Sequence, residues 1–215
     1  MSSFKNLVIS LVVVLSCCFA DQALAVPNFN SGFAGWSGQL SDGVNVDAAN
    51  LASDPHFSLN GNIATIKYTD LAEPYWAFTL SQAMVADQLA GAGNKLIMSF
   101  YMKAGFGDAG TFDGHIVSAT LGSDALINTT DQSIRDRLIA GDTFSADITN
   151  FAGSSELLSF TLGDLDFSVP DYLSIGDFAF SQIAPPVDNA PVPEPSTILL
   201  LGIGMAGLVF YRKKA

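Results

Sequence analysis

The chain has 215 residues but contains only two cysteines and two histidines. Both cysteines, Cys17 and Cys18, lie within the first 25 residues, so no thiol follows them. Disulfide bonds, thiolate zinc sites and cysteine nucleophiles are therefore excluded from the rest of the chain. A fold built from that part must depend on the packing of its core, alone or together with a bound cation.

Positive charge is also scarce. Lys and Arg total 9 against 21 Asp and Glu, and the formal net charge is −12 at pH 7. Lys5 and the basic residues at 212–214 lie near the two ends, so the middle of the chain is especially acidic. An acidic surface repels nucleic acids and anionic membranes, so neither is expected as a ligand of the body.

Motifs of catalysis are missing as well. The sequence has no G-x-S-x-G turn and no H-E-x-x-H helix. His56 follows Asp54-Pro55, which is typical of a turn, and His115 begins a candidate strand. Both histidines are interpreted as structural or surface residues. We expect neither an enzyme nor a required cofactor, although a hydrolase that uses an unrecognised pair of carboxylates stays open.

The first 25 residues have the organisation of a secretory signal peptide. Lys5 is followed by an apolar run at 7–15 that is too short to span a bilayer. Ala23 and Ala25 are the small residues that signal peptidase requires, so cleavage is predicted after Ala25. The alternative is a lipoprotein acylated at Cys17, but the three residues before it form a poor recognition sequence.

The C-terminal segment combines a stiff linker with a short apolar stretch. Residues 185–192 form a proline-rich linker, which leads to the motif Pro193, Glu194 and Pro195. Residues 197–211 are predicted to form a transmembrane helix, although it would rise only about 22 Å against the roughly 30 Å of the hydrocarbon core. The chain ends on a basic cluster that should remain cytoplasmic, namely Arg212, Lys213 and Lys214.

This order of elements, over residues 193–215, resembles the PEP-CTERM sorting signal. The resemblance implies that the protein is exported across the inner membrane and held there transiently by its tail. It also implies that an exosortase, a membrane-embedded cysteine protease, processes the tail and leaves the protein in the cell envelope, at the surface or outside. Members of that family typically come from Gram-negative bacteria that make exopolysaccharide, so extracellular polysaccharide is a candidate partner. An ordinary C-terminal membrane anchor is the alternative.

Between the two ends, residues 26–184 show the pattern of many short strands. From Leu96 to Lys103, apolar residues alternate with others at a period of two, which is typical of a half-buried strand. Further candidate strands lie at 62–69, 76–80, 115–122, 158–162 and 172–180. Short helices are predicted at 84–89 and 133–139. The predicted fold is all-β, a single antiparallel β-sandwich.

The two ends of this domain resemble jelly-roll, galactose-binding-like carbohydrate-binding modules. The opening, from Pro27 to Trp36, looks like the first strand of those modules, and the segment from Tyr172 to Phe180 looks like the last. In that family the two strands lie together and often hold a structural calcium. The resemblance therefore implies calcium near Asn30 and Asp177, with carbonyls and water as further ligands. The alternative is that Asn30 caps a turn and Asp177 faces solvent.

Tyr75 and Trp76 are adjacent aromatic residues, which a strand would point to opposite faces. One of them should then be exposed or covered by a loop, where it could stack on a sugar ring. Trp76 is expected in the core because it shares a face with Phe78 and Leu80. Three functions stay open: a non-enzymatic envelope or matrix protein associated with exopolysaccharide, a carbohydrate-binding module, and a secreted hydrolase.

Overall fold

The computed structural model describes residues 26–68, 75–107, 112, 114–164 and 170–186. The strands in these ranges are β1 (Trp36–Leu40), β2 (Asn45–Val46), β3 (Phe57–Asn60), β4 (Ile63–Lys67), β5 (Ala77–Val85), β6 (Lys95–Gly105), β7 (His115–Leu121), β8 (Asp124–Ala125), β9 (Asp142–Asp147), β10 (Ser155–Asp164) and β11 (Tyr172–Ile183). The helices are α1 (Ala48–Leu51) and α2 (Gln132–Ala140), and a 3₁₀ turn covers Thr149–Phe151.

The strands form two sheets. The first sheet has the order β2-β1-β5-β10-β7-β8, and the second has the order β3-β4-β11-β6-β9. All pairings that the structure describes are antiparallel. The chain passes repeatedly from one sheet to the other, as it does from β4 to β5 and from β10 to β11. These features confirm the predicted all-β, antiparallel sandwich.

The hydrophobic core is built from the inward positions of the strands. In β6, buried and partly exposed residues alternate along the whole strand, and Met98 and Phe100 are completely buried. Phe160 of β10 belongs to the same cluster, and its ring centroid lies 5.7 Å from that of Phe100. Trp36 is 2% exposed and belongs to the same core. Burial of these apolar side chains is the main force that holds the sheets together.

The opening segment of the domain is not a strand, contrary to the prediction. Residues 30–35 form turns, and the first strand begins at Trp36. Gly32 and Gly35 have φ values of 72° and 82°, which are turn conformations and not those of an extended strand. Phe29 still enters the core because its ring stacks on Trp36, with centroids 4.6 Å apart.

One of the two predicted helices is confirmed, and the other is wrong. α2 covers the prediction at 133–139, and the side chain of Asp131 caps it by accepting a hydrogen bond of 2.8 Å from the Ser133 N–H. The prediction at 84–89 fails because Met84 and Val85 pair with β10 at the end of β5. Pairing with a neighbouring strand overrides local helix propensity here.

The chain separates into two units, 1–184 and 185–215, and all strands described above belong to the first. The predicted signal peptide at 1–25 and the residues from 187 onward, including the predicted helix at 197–211, lie outside the described residues. In the part of the chain that the structure describes, no helix has both the length and the apolar character that a bilayer crossing requires.

Candidate functional site

Trp76 lies at the surface, and its predicted place in the core is wrong. Its exposed fraction is 47%, whereas Phe78 and Leu80 are fully buried. β5 begins one residue after Trp76, so the alternation of the strand does not extend to it. The Trp76 N–H donates to Ser41 Oγ (2.9 Å), and its carbonyl accepts from the Asp164 N–H (2.9 Å). These contacts fix the backbone while the indole stays accessible to solvent.

Tyr75 packs against the core instead. Its ring centroid lies 6.1 Å from that of Phe78 and 6.2 Å from that of His56. Trp76 is therefore the exposed member of this adjacent pair. Stacking of either ring on a sugar stays a prediction.

A pocket of about 400 Å³ opens beside Trp76 on the outer face of the first sheet. Its lining includes Ile116 and the polar side chains of Gln39, Thr79 and Thr161. Gln39 pairs with Thr79, and Thr79 pairs with Thr161, so these three polar groups form one row across β1, β5 and β10. The two threonine hydroxyls lie 2.9 Å apart. The pocket thus combines an exposed aromatic ring with several hydrogen-bonding groups, as small-molecule sites commonly do.

The outer face of the first sheet is rich in hydroxyl groups and poor in charge. A second polar row lies beside the first, and the Oγ atoms of Ser37 and Ser81 in this row are 3.1 Å apart. In the fully described strands β1, β5, β7 and β10, no outward position carries Asp, Glu, Lys, Arg or His. We call the two rows together the hydroxyl face, which consists of Gln39, Thr79, Thr161, Ser118, Ser37, Ser81, Ser159 and Thr120.

A second pocket, of about 380 Å³, lies on the outer face of the second sheet. Its lining includes Tyr101, Thr65, Ser174 and Asp177, and the hydroxyls of Thr65 and Ser174 are 2.9 Å apart. Tyr101 is only partly exposed. This pocket therefore offers a half-buried ring and a carboxylate, where the first pocket offers an open indole and neutral polar groups.

Asp177 lies in a bulge of β11 and has a left-handed backbone. Its φ is 49°, and the register against β6 shifts between Gly176 and Ala179. Asp177 Oδ1 accepts a hydrogen bond of 3.2 Å from Asn62 Nδ2, and Asn62 Oδ1 accepts one of 2.9 Å from the Phe29 N–H. Asn62 thus connects the opening segment of the domain to the bulge.

Asn30 is exposed, and its N–H donates to Asn28 Oδ1 at 3.0 Å, so the side chain that caps this turn is that of Asn28. The first and last strands do not pair, because β1 lies in the first sheet and β11 in the second. Trp36 and Phe178 nevertheless bring them into contact, with ring centroids 5.9 Å apart. Calcium near Asn30 and Asp177 stays a prediction.

The fold also assembles a buried polar cluster that the sequence analysis missed. Side-chain N and O atoms of His115, Asp164 and Asp171 lie within 4.8 Å of one another, and all three residues are buried. His115 and Asp164 are paired residues at the ends of β7 and β10, and Asp171 directly precedes β11. His115 Nε2 lies 2.8 Å from Asp171 Oδ2. The cluster therefore connects the two sheets at one end of the core.

The strand alternation contains a signal for this cluster. Each residue of the cluster occupies the next inward-facing position beyond a buried apolar residue of the same strand. The corresponding pairs are Leu162 and Asp164 in β10, Val117 and His115 in β7, and Leu173 and Asp171 at the start of β11. A polar residue at the next inward position predicts a buried polar group. Their meeting across the sandwich depends on the topology, which the sequence pattern does not contain.

His56 has a structural environment, as predicted. It is 8% exposed, and its ring stacks on Phe78 with centroids 4.3 Å apart. His56 Nδ1 lies 2.8 Å from Asp54 Oδ1, within the turn that precedes β3.

Two exposed carboxylates of β9, those of Asp142 and Asp147, have pKa values below the ordinary range. Hydrogen bonds from the Thr149 hydroxyl and from Lys95 lower the pKa of Asp147 to about 2. A hydrogen bond from Arg137 lowers the pKa of Asp142. These contacts cap a turn and form surface ion pairs, so they concern stability and not chemistry at either pocket.

The tail matches the family model of the PEP-CTERM protein-sorting motif over residues 191–214. The chain carries a PEP-CTERM sorting motif. The match confirms the resemblance that Pro193, Glu194 and Pro195 indicated together with the basic end. The motif implies an exported protein with a C-terminal anchor that an exosortase processes. The PEP-CTERM residues, the basic cluster and the predicted cleavage site at Ala25 all lie outside the described residues.

Several solved structures have a similar fold. TmCBM61 in complex with β-1,4-galactotriose has a TM-score of 0.42 and 17% identity, over 74% of this chain and 97% of that one. A CBM4 module has a TM-score of 0.36 and 12% identity, over 72% and 99% of the two chains. A Stig cyclase, Fisc from Fischerella sp. TAU, has a TM-score of 0.34 and 13% identity, over 77% and 93%. At these identities the similarity concerns the fold alone. No curated protein matches this chain.

Proposed function

We propose that this protein is a non-enzymatic component of the cell surface or extracellular matrix, and that it binds extracellular polysaccharide at the pocket beside Trp76. The PEP-CTERM motif supports the location. The observation that supports a polysaccharide ligand is the exposed indole of Trp76 at the edge of the hydroxyl face.

An open tryptophan is well suited to a sugar. The indole is large, rigid and apolar on its faces, and it can cover the C–H groups of a pyranose ring at little cost in conformational entropy. Gln39, Thr79 and Thr161 lie in the same pocket and can exchange hydrogen bonds with the ring hydroxyls. Because these side chains project from three paired strands, they are positioned before any ligand binds.

The charge distribution favours a neutral polymer. The hydroxyl face carries no ionisable group, whereas the whole chain has a net charge of −12. An anionic polysaccharide would be repelled by that charge and would find no cation on the face. A neutral polysaccharide meets neither obstacle.

The lining of the pocket also supports a non-enzymatic role. None of the described residues that line it is an acid, a base or a cysteine. Glycoside hydrolysis generally needs two carboxyl groups on either side of the scissile bond. The buried carboxylates of Asp164 and Asp171 belong to the core and do not line this pocket.

Affinity electrophoresis and calorimetry with neutral polysaccharides test this proposal. We expect Trp76→Ala to weaken binding about fivefold or more, because the loss of a stacked aromatic ring is worth roughly 1 kcal/mol or more and every 1.4 kcal/mol is tenfold. Tyr101→Ala is the matched control, since it removes the aromatic ring from the second pocket and should leave binding unchanged.

Two outcomes would contradict the proposal. Binding that survives Trp76→Ala but is lost with Tyr101→Ala would place the site on the second sheet. Failure of the wild-type protein to bind any polysaccharide, including the exopolysaccharide of its own host, would remove the ligand and leave the sorting motif unaffected.

A further inference from the structure

The buried cluster of His115, Asp164 and Asp171 is held by rigid elements of both sheets. His115 and Asp164 face each other across the β7–β10 pairing, so their backbones are fixed by the first sheet. Asp171 is fixed from the second sheet, because its carbonyl accepts a hydrogen bond of 2.9 Å from the Tyr68 N–H. Its Oδ1 accepts another, of 2.8 Å, from the Gly107 N–H, while Oδ2 faces the imidazole. Such hydrogen bonds orient carboxylates as they do around bound metals.

The charges of the cluster favour a cation. With a neutral imidazole, the ionised carboxylates of Asp164 and Asp171 would place two negative charges in the core, and a protonated His115 would still leave one. Both side chains of the His115–Asp171 pair are completely inaccessible to solvent. Buried carboxylates are neutralised by a proton, a cationic partner or a metal ion. A divalent cation with a neutral imidazole and two carboxylates gives an electrically neutral site.

We propose that His115, Asp164 and Asp171 bind one divalent metal ion of the zinc class. One imidazole nitrogen and two carboxylate oxygens suit zinc, whereas calcium and magnesium prefer oxygen ligands and a higher coordination number. Three protein ligands leave a fourth position of a tetrahedral zinc for water or another group.

The contact between His115 and Asp171 requires only a small adjustment, and the ligand atoms of all three residues already lie within 4.8 Å of one another. Tetrahedral ligands at about 2.0–2.1 Å from zinc lie about 3.3 Å from one another. His115 Nε2 and Asp171 Oδ2, now 2.8 Å apart, would separate by about half an ångström. The metal would then replace their direct contact and link the two sheets covalently through its ligands, a role that disulfides cannot have in a domain without cysteine.

Metal content of the purified full chain tests the proposal. The site is buried, so the protein is unfolded in urea with a chelator, freed of both and refolded with or without Zn²⁺. We expect elemental mass spectrometry to find about one zinc ion per chain in the protein refolded with Zn²⁺. At free zinc about 100 times the Kd, the ratio of folded to unfolded protein should rise about 100-fold. For a domain of this size, that corresponds to a Tm higher by about 5–11 °C.

Substitutions locate the ion. His115→Asn and Asp164→Asn should abolish both the stoichiometric zinc and the Tm shift. His56→Asn is the matched control, because His56 also contacts a carboxylate, Asp54, but lies outside the cluster. If the cluster variants fail to fold, Co²⁺ bound to the wild-type protein should give the visible absorption bands of a nitrogen- and oxygen-ligated site.

Three results would overturn the proposal. The first is wild-type protein that refolds without metal and gains no stability from Zn²⁺ or Co²⁺. The second is zinc retained by His115→Asn but lost with His56→Asn. The third is stabilisation by Ca²⁺ but not Zn²⁺ that disappears with Asp177→Asn, which would instead support the calcium expected near Asn30 and Asp177.

Discussion

Truncation of either tryptophan to alanine removes the same side chain, but the structure predicts very different effects on stability. Trp36 is 2% exposed and Trp76 is 47% exposed. Trp36 stacks on Phe29 at 4.6 Å, and its Nε1 donates to the carbonyl oxygen of Asn28 at 3.1 Å. Its loss would leave a cavity between aromatic rings and remove a partner from that carbonyl.

The magnitudes follow from burial. Replacement of a buried aromatic residue by alanine costs about 3–5 kcal/mol, because a cavity adds to the lost transfer free energy. A half-exposed residue leaves no cavity, and roughly half of the 1.5–3 kcal/mol for full burial gives about 0.8–1.5 kcal/mol for Trp76. With about 2–4 °C per kcal/mol in a domain of this size, the Tm should fall by roughly 6–20 °C for Trp36→Ala and 2–6 °C for Trp76→Ala.

Urea unfolding monitored by circular dichroism measures both free energies directly. The chain has two tryptophans, so Trp36→Phe and Trp76→Phe each leave a single tryptophan whose emission reports its surroundings. The protein that retains Trp76 should emit at longer wavelength and be quenched by acrylamide, and the one that retains Trp36 should not. Equal losses of stability for the two alanine variants, or a larger loss for Trp76→Ala, would refute the assignment of one indole to the core and the other to the surface.

Three further predictions concern other parts of the molecule. Asp147→Asn should lower the free energy of unfolding at pH 7 but not near pH 2. A carboxylate with a pKa lowered from 3.8 to about 2 stabilises the fold above pH 3.8 and loses that effect as the pH falls to 2. Urea titrations at both pH values test this. Protein recovered from the cell surface should begin at Val26 and lack the segment after the PEP-CTERM motif, and a full-length C-terminus in its intact mass would contradict sorting. Gly163→Ala should weaken polysaccharide binding because its Cβ would lie 3.0 Å from Ile116 Cβ in the pocket, whereas Gly91→Ala, with its nearest atom 3.7 Å away, should bind normally.

The strands were predictable wherever one face is buried. In β6 the alternation from Leu96 to Met102 is complete, because each inward residue is apolar and each outward residue faces solvent. The same rule located β10 and β11. Local pattern suffices in these strands because the burial of one face is itself periodic. The sorting motif was predictable for a different reason, since it is read as a linear sequence and needs no fold.

The features that the sequence analysis predicted wrongly or missed share one cause, which is contact between residues far apart in the sequence. The pattern of Met84 and Val85 suggests a helix, but their pairing with β10 makes them a strand end. Trp76 is spaced from Phe78 and Leu80 as a core residue of a strand would be. It precedes the first residue of β5, however, so the alternation of buried and exposed side chains in that strand does not include it. His115 gave no metal-ligand spacing because its partners are 49 and 56 positions away in the sequence. None of these positions is determined by its neighbours in the chain.

At one end of the first sheet, the register of β7 and β10 connects the pocket on the outer face to the buried cluster on the inner face. Gly163 pairs with Ile116, and the next residues, Asp164 and His115, pair in turn. Because side chains alternate, the first pair faces outward at the pocket while the second faces inward at the buried cluster. The Asp164 N–H also binds the carbonyl of Trp76. An ion bound at Asp164 as proposed would therefore hold the backbone that presents the indole. Its removal should then weaken binding at the pocket beside Trp76, whereas Trp76→Ala should leave the proposed metal binding intact.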